Sequence, residues 1–131
     1  MSTTLTIRDA TLSGQTVHEW SLDFLTERVT VRELIRGRVY QEVQDYNRRR
    51  PDRFQGLIQP AEDEQMLNGP RAARPREIDW HRQFERALEA FRKQQILILH
   101  SDRQLHDLDE EIEIKTGDQV SFLRLTMLTG G

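Results

Sequence analysis

The sequence predicts an α+β fold for this chain of 131 residues, and three observations carry the prediction. Apolar and polar residues alternate near both ends of the chain, as they do in half-buried β-strands. Two segments between these ends repeat apolar residues at helical spacing. Turn signals separate most neighbouring elements. Because a chain of this length has room for one core, we expect a single domain over residues 1–131, in which a helix packs across a mixed sheet.

The composition argues against several classes of function. The formal net charge is −3, which gives no global reason to expect binding to nucleic acid or to an acidic membrane. The sequence contains no cysteine, which excludes disulfides, zinc–thiolate sites and a cysteine nucleophile within this chain. No apolar run is long enough to span a bilayer and residues 1–4 are unlike a signal peptide, so we expect a cytoplasmic protein.

The first 25 residues predict a β-hairpin. Apolar and polar residues alternate over Leu5–Ile7, and Ser13 with Gly14 forms a turn signal. The second strand is predicted from three residues that recur at period two: Trp20, Leu22 and Phe24. Strands joined this closely usually pair as a hairpin.

A helix is predicted to follow the hairpin. Thr30 and Glu33 have the spacing of a capping box, and Val29 and Leu34 have the spacing of a hydrophobic staple. Gly37 lies inside this helix, where glycine is unfavourable by about 1 kcal/mol relative to alanine, so we expect a close packing contact there. One face of the helix carries the apolar positions Val31, Leu34, Ile35, Val39, Val43 and Tyr46.

All four prolines of the chain lie between residues 47 and 76, and this stretch is predicted to be a long connection. Three apolar residues within it are candidates for docking onto the core: Phe54, Leu57 and Ile58. The arginine cluster Arg48–Arg50 with Arg53 is interpreted as a favourable helix C-terminus rather than a nucleic-acid contact.

A second helix and three strands are predicted after the connection. Asp79 caps the helix, whose apolar stripe is Trp80, Phe84, Ala87, Leu88 and Phe91. Residues 96–99 are apolar at every position, which predicts a central strand covered on both faces. Turn signals at residues 101–102 and 117–118 bound a short strand near residues 112–114 and a last strand over residues 120–125.

The printed sequence ends in Gly130 and Gly131, after a strong strand and a short tail. With this terminus, the predicted order of hairpin, helix and later strands resembles the ubiquitin-like β-grasp family. The run from Gly117 to Phe122, followed by the diglycine, is similar to the sulfur-carrier members that serve thiamin and molybdopterin synthesis. The resemblance implies a β-grasp with an inserted linker and second helix, over about residues 47–95, between the first helix and the third strand.

The resemblance also implies a set of functional residues. Gly131 would supply a carboxylate that is activated by adenylation, and Gly130 would let the tail pass through a narrow channel because glycine has no Cβ. Four residues before the glycines would contact partners: Leu125, Met127, Leu128 and Thr129. The only two lysines of the chain, Lys93 and Lys115, would be the internal acceptors for self-conjugation.

The partners implied are an adenylating enzyme that uses ATP and magnesium, a carrier enzyme with a reactive cysteine, and a deconjugating metallopeptidase. The chain itself is then a protein modifier of a bacterial-type conjugation system. It would bind no cofactor, and it would be passed from an acyl-adenylate to a thioester and then to a lysine of an unknown target. Two alternatives stay open: a sulfur carrier with a thiocarboxylate at Gly131, and a non-covalent β-grasp interaction subunit.

No enzyme site is predicted. The sequence shows no paired catalytic carboxylates, no Ser-His-Asp arrangement and no phosphate loop, so we expect that the chain is not an enzyme. Its histidines lack metal-ligand spacing and are interpreted as solvated residues rather than metal ligands: His18, His81, His100 and His106.

Overall fold

The structure is a computed structural model, and it describes residues 2–49, 56–58 and 78–125. Over these residues it is an α+β fold with two helices and a mixed five-stranded sheet, an arrangement that is compatible with a β-grasp. The elements in chain order are β1 (Thr3–Ala10), β2 (Thr16–Phe24), β3 (Arg28–Thr30), α1 (Val31–Arg49), α2 (Trp80–Arg92), β4 (Ile96–His100), β5 (Arg103–Leu105), β6 (Glu111–Glu113) and β7 (Gln119–Arg124).

The five-stranded sheet has the order β2-β1-β7-β4-β5. β1 and β2 form the predicted antiparallel hairpin, with Leu5 opposite Leu22. β7 enters between β1 and β4; it runs parallel to β1 and antiparallel to β4. The first and last described strands are therefore neighbours in the sheet, and the mixed sheet that the sequence predicts is confirmed.

The small sheet formed by β3 and β6 was not predicted. Val29 pairs with Ile112 there, and the two strands stand apart from the five-stranded sheet. The sequence pattern indicated Val29 only as part of a hydrophobic staple. A strand was predicted near residues 112–114, but its pairing with β3 was not, because the two strands are short and lie far apart in the sequence.

The prediction that residues 96–99 form a strand covered on both faces is wrong in one respect. β4 does lie inside the sheet, between β7 and β5. However, Ile96 and Ile98 are buried, whereas Leu97 and Leu99 are only half-buried. Successive side chains of a strand point to opposite faces, so the core covers one face of β4 and leaves the other partly open.

The start of α1 follows its sequence signals. The backbone N–H of Glu33 donates to Thr30 Oγ1 at 3.0 Å, and the backbone N–H of Thr30 donates to Glu33 Oε1 at 3.4 Å. These are the two reciprocal bonds of a capping box. Every predicted apolar position of the helix is buried: Val31, Leu34, Ile35, Val39, Val43 and Tyr46.

The insertion begins later than predicted, because α1 continues to Arg49 instead of ending near residue 47. Asn47 is still helical, and its side chain clamps the backbone just before α2: it accepts from Ile78 N at 2.9 Å and donates to Ile78 O at 3.1 Å. Leu57 and Ile58 are buried in the core as predicted, while Phe54 lies outside the described residues.

α2 is capped as predicted and belongs to the core. The Asp79 side chain accepts from His81 N at 3.0 Å, which satisfies a free N–H of the first turn. Three stripe residues, Ala87, Leu88 and Phe91, are buried, and the other two, Trp80 and Phe84, pack half-buried against the same cluster. The helix contributes to one continuous core with α1 and the sheet, so its apolar stripe is used inside this chain.

Gly37 marks a close contact, as its position in α1 predicted. A Cβ at this residue would stand 3.1 Å from Phe24 Cε1 and 3.3 Å from Phe24 Cζ. Both distances are shorter than ordinary van der Waals contact. The end of β2 therefore packs against the one residue of α1 that presents no side chain to it.

Replacing Gly37 with alanine tests this contact. The better helix propensity of alanine is worth about 1 kcal/mol, but in the wild-type background we expect the crowding of Phe24 to cancel most of it. In a Phe24→Ala background, the same substitution is expected to stabilise by about 1 kcal/mol. Urea unfolding of the four proteins measures the coupling, and additive effects of the two substitutions would contradict it.

Candidate functional site: the root of the tail

The last described residue, Leu125, leaves the sheet at a defined place, which we call the tail root. Arg124, the final residue of β7, pairs with Ile96. One step further, the backbone N–H of Leu125 donates to Gln95 O at 2.9 Å. Ladder pairing thus fixes the chain up to Leu125, where the predicted functional tail begins. We define the tail root as Gln95, Arg124 and Leu125.

Only one of the predicted tail residues lies within the described part of the chain. The Leu125 side chain is exposed, at 37% of its reference area, as a partner contact requires. The remaining predicted tail positions lie outside the described residues, and their roles stay predictions: Met127, Leu128, Thr129, Gly130 and Gly131.

The C-terminal turn of α2 builds one side of the tail root. The backbone N–H of Lys93 donates to Glu89 O and that of Gln95 donates to Ala90 O, each at 2.9 Å. Gln94 between them has a φ of 59°, the left-handed conformation that commonly ends a helix. This turn places Gln95 so that its backbone carbonyl accepts the hydrogen bond from the N–H of Leu125.

The two candidate acceptor lysines lie at opposite ends of the sheet. Lys93 caps α2 beside the tail root; its Nζ is 3.0 Å from Glu89 Oε1, and the side chain is 60% exposed. Lys115 is exposed and precedes the turn that leads into β7. A conjugate on Lys93 would therefore crowd the tail of the acceptor chain itself, whereas one on Lys115 would stand a full strand length away from that tail.

The turn next to Lys115 is held by a carboxylate. Asp118 Oδ2 accepts from the backbone N–H of Lys115 at 3.0 Å and lies 3.2 Å from His100 Nε2. The Lys115 backbone bond, with a contribution from His100, holds the pKa of Asp118 below its usual range. Gly117 has a φ of 96° in this turn, a conformation that favours glycine.

An apolar row crosses the outward face of the sheet and ends at the tail root. Leu123 of β7 pairs with Ala10 of β1 and with Leu97 of β4. All three lie on the face opposite the core, where Ala10 and Leu97 are half-buried and Leu123 is buried, with 8% of its area exposed. Beyond Ala10, Leu12 is 68% exposed in the hairpin turn. Of these four residues, Leu12 is the one exposed enough to contact a partner that grips the tail.

The pattern of the sequence did not reveal a buried ion cluster beneath the sheet. Arg38 of α1 is 1% exposed. Its Nη1 and Nη2 donate to the two carboxylate oxygens of Asp9 at 2.6 and 2.8 Å, and its Nε donates to Glu42 Oε1 at 3.3 Å. The guanidinium carbon also lies 4.6 Å from the Trp20 ring and 4.5 Å from the Phe122 ring.

The signal for this cluster was present in the spacing. Asp9 continues the inward period of Leu5 and Ile7 along β1, and Arg38 lies one helical turn after Leu34. Opposite charges therefore occupied inward positions of two elements that pack together. A buried guanidinium requires paired carboxylates. Once β1 and α1 are known to pack together, a pairing of Arg38 with Asp9 is therefore expected.

The cluster shifts the acidity of its members. Burial alone would lower the pKa of Arg38, but its attraction to Glu42 and its bonds with Asp9 outweigh this effect and the pKa is raised. Burial raises the pKa of Glu42 more strongly than Arg38 lowers it. Glu42 Oε1 also accepts from the backbone N–H of Leu57 at 3.3 Å, so the cluster ties the inserted connection to α1.

Glu42 should make folding stability depend on pH. Because its pKa in the folded protein lies above the ordinary value of 4.5, the folded state retains its proton longer than the unfolded state. The associated stability is present below about pH 4.5 and is lost as the pH rises through the raised value. Glu42→Gln can still accept the hydrogen bonds from Arg38 Nε and Leu57 N. We expect the free energy of unfolding of this variant, relative to wild type, to increase as the pH rises through this range.

Urea unfolding between pH 4 and pH 8 measures this difference. Glu89→Gln, on the exposed face of α2, controls for the loss of one carboxylate outside the cluster. A difference between Glu42→Gln and wild type that stays constant across this range would contradict the prediction.

The histidines do not converge on one site. His18 stacks on Trp20 with ring centroids 4.9 Å apart, and His81 stacks on Trp80 at 4.0 Å. His100 pairs with Asp118 instead of standing in a solvated loop. Within residues 2–49, 56–58 and 78–125, no three potential ligands from histidine or carboxylate side chains are grouped so that they could hold a metal ion.

Comparison of the chain with protein-family models, with curated proteins and with solved structures finds no match. Neither of the described helices, α1 or α2, has the length and apolar character that crossing a bilayer requires.

Proposed function

We propose that the chain is a ubiquitin-like protein modifier. In this role the Gly131 carboxylate is adenylated, passed as a thioester to a partner's cysteine and joined to amines of target proteins. One observation carries the proposal: β7 lies between β1 and β4 in the order β2-β1-β7-β4-β5 and leads, through Leu125, into a tail that the sequence continues to Gly130 and Gly131.

The chemistry of such a tail explains why it should follow a central strand. A carboxylate is a poor electrophile until ATP converts it to an acyl-adenylate, with release of pyrophosphate. The activating enzyme must hold a rigid body while it draws a slender tail toward the nucleotide. Here Leu125 is the last described residue and is held by the ladder, and the glycines later in the sequence would allow close approach of another backbone.

The surface around the tail root supports the same role. Leu125 and Leu12 are exposed, and both lie at the end of the sheet where β1 and β7 finish side by side. Apolar side chains at the edge of such a surface are suited to bury against a partner. Since the chain has no cysteine, it would be the molecule that is transferred and not the carrier.

The decisive test is mass spectrometry of the protein from its native cells, purified under denaturing conditions through a tag at the amino end. The proposal requires a mature chain that ends with the Gly131 carboxylate, linked through an isopeptide bond to lysines of other proteins. A variant that lacks Gly130 and Gly131 is the control and should give no such adducts.

Other outcomes of the same experiment would replace the proposal. A mass gain of about 16 Da at Gly131, from exchange of oxygen for sulfur in the activated carboxylate, would establish a sulfur carrier. A Gly131 carboxylate that is neither linked nor thiolated, even with ATP present, would leave a non-covalent interaction subunit. A mature chain that continues beyond Gly131 would overturn both carboxylate roles.

A further inference from the structure

The C-terminal turn of α2 brings basic side chains to the tail root. Arg92 is the last residue of α2 and Lys93 its cap, and both are exposed. Across the strand pair, Arg124 is also exposed at the end of β7. We call these three residues the basic collar. Glu89, the carboxylate in the same helical turn, pairs with Lys93, so the group keeps an excess of positive charge.

Backbone contacts fix the collar in place next to the tail. Gln95, whose carbonyl holds Leu125, follows Arg92 by three residues. Three residues of chain span at most about 11 Å, so Arg92 and Lys93 cannot lie far from the point where the tail leaves the sheet. Both exposed residues are therefore close enough to the tail root to be contacted by a partner that grips the tail there.

We propose that the basic collar docks an acidic surface of the enzyme that adenylates the tail. The inserted helix would then serve partner recognition, in addition to its role in the core. This inference rests on the proposed function, because it assigns the surface that the same activating partner reads. Long-range attraction between opposite charges steers the encounter, and rim charges of this kind affect the association step and its salt dependence.

The chain offers a matched control at the other helix. Arg48 and Arg49 occupy the last turn of α1, as Arg92 and Lys93 end α2. Each pair contains one member with an ion pair inside its own helix, Arg48 with Asp45 at 2.8 Å and Lys93 with Glu89 at 3.0 Å. Reversing both charges at either site therefore changes the net charge equally, at the end of a helix in both cases.

The test is ATP–pyrophosphate exchange in an extract of the native cells, driven by added full-length protein. Exchange reports adenylation alone, before any lysine is needed. We expect Arg92→Glu/Lys93→Glu to raise the half-saturating protein concentration about tenfold at low salt, with the maximal rate unchanged because the tail is intact. Arg48→Glu/Arg49→Glu and the charge-conserving Lys93→Arg should both stay within about twofold of wild type.

Each result separates this inference from the proposed function. If wild type supports exchange and Arg92→Glu/Lys93→Glu has the same half-saturating concentration, the proposed role of the collar is wrong and the modifier proposal is unaffected. Equal loss at the α1 control would overturn it too, since net charge alone would then explain the effect. A fall in maximal rate without a change in half-saturation would contradict a docking role. Absence of exchange with wild type would remove both proposals.

Discussion

Replacing Arg38 with methionine is expected to destabilise the protein by about 3–5 kcal/mol, the usual effect of removing one partner from a buried ion pair. The guanidinium is 1% exposed and makes three hydrogen bonds, two to Asp9 and one to Glu42. Without it, two carboxylates remain beneath the sheet without their cation. Methionine fills much of the same volume, so the loss would reflect charge and hydrogen bonding more than a cavity.

Equilibrium unfolding in urea at pH 7 measures this effect. Arg32→Ala is the control, because Arg32 pairs with Asp109 at 3.3 Å in an exposed position and such pairs are worth at most about 1 kcal/mol. Adding Asp9→Asn to Arg38→Met should recover part of the loss, since it removes one of the uncompensated charges. A loss below 1 kcal/mol for Arg38→Met would show that the cluster contributes little to the fold.

Deleting Gly130 and Gly131 is expected to abolish ATP–pyrophosphate exchange completely. The terminal carboxylate would then belong to Thr129, two residues earlier in the chain. The Cβ of Thr129 would also restrict the approach of this carboxylate to the nucleotide. Substitutions and deletions outside a packed core usually change the free energy of unfolding by less than about 0.5 kcal/mol, and that is the change expected here. The deletion variant should lose exchange and keep its stability, whereas the main effect of Arg38→Met should be a loss of stability.

A chain with one alanine added after Gly131 distinguishes two causes of such a loss. It keeps both glycines but moves the carboxylate by one residue. Loss of exchange in this variant as well would show that the position of the carboxylate is read. Full exchange in the deletion variant would contradict a role for the diglycine in adenylation.

The two stability effects predicted for α1 have different origins. Gly37 matters because a neighbour occupies the space of its missing side chain, and the effect depends on Phe24 alone. Arg38 matters because its charge is shared among Asp9, Glu42 and two aromatic rings. Substitutions around Arg38 should therefore be strongly non-additive, as is usual for groups in one network.

Local patterns in the sequence predicted most of the secondary structure. The capping box at Thr30 and the apolar stripe of α1 both depend on residues within a few positions of one another, and both are found as predicted. The first hairpin was predicted from its alternation and its turn at Gly14, which has a φ of 92°. Such features can be predicted from sequence because the residues that interact in them are close together in the chain.

The charged cluster shows what local patterns leave out. Asp9 and Arg38 each look like an ordinary polar residue within its own element. Their pairing depends on where α1 crosses the sheet, which brings Arg38 over Asp9 and Phe122. The small sheet of β3 and β6 was missed for the same reason, since Val29 and Ile112 are joined only in the folded chain.

The sequence by itself determined the class of fold, the start and buried face of α1, the two helix caps and the diglycine that suggests a transferable tail. Tertiary structure alone decided that β7 lies between β1 and β4, that the α2 turn carrying Lys93 borders the exit of Leu125, and that Arg38 is buried in an ion cluster. The physical reason is the separation in sequence between the residues that interact. Caps and periodicities act within a few residues, whereas strand order and charge burial depend on contacts between distant segments, which exist only once the core has formed.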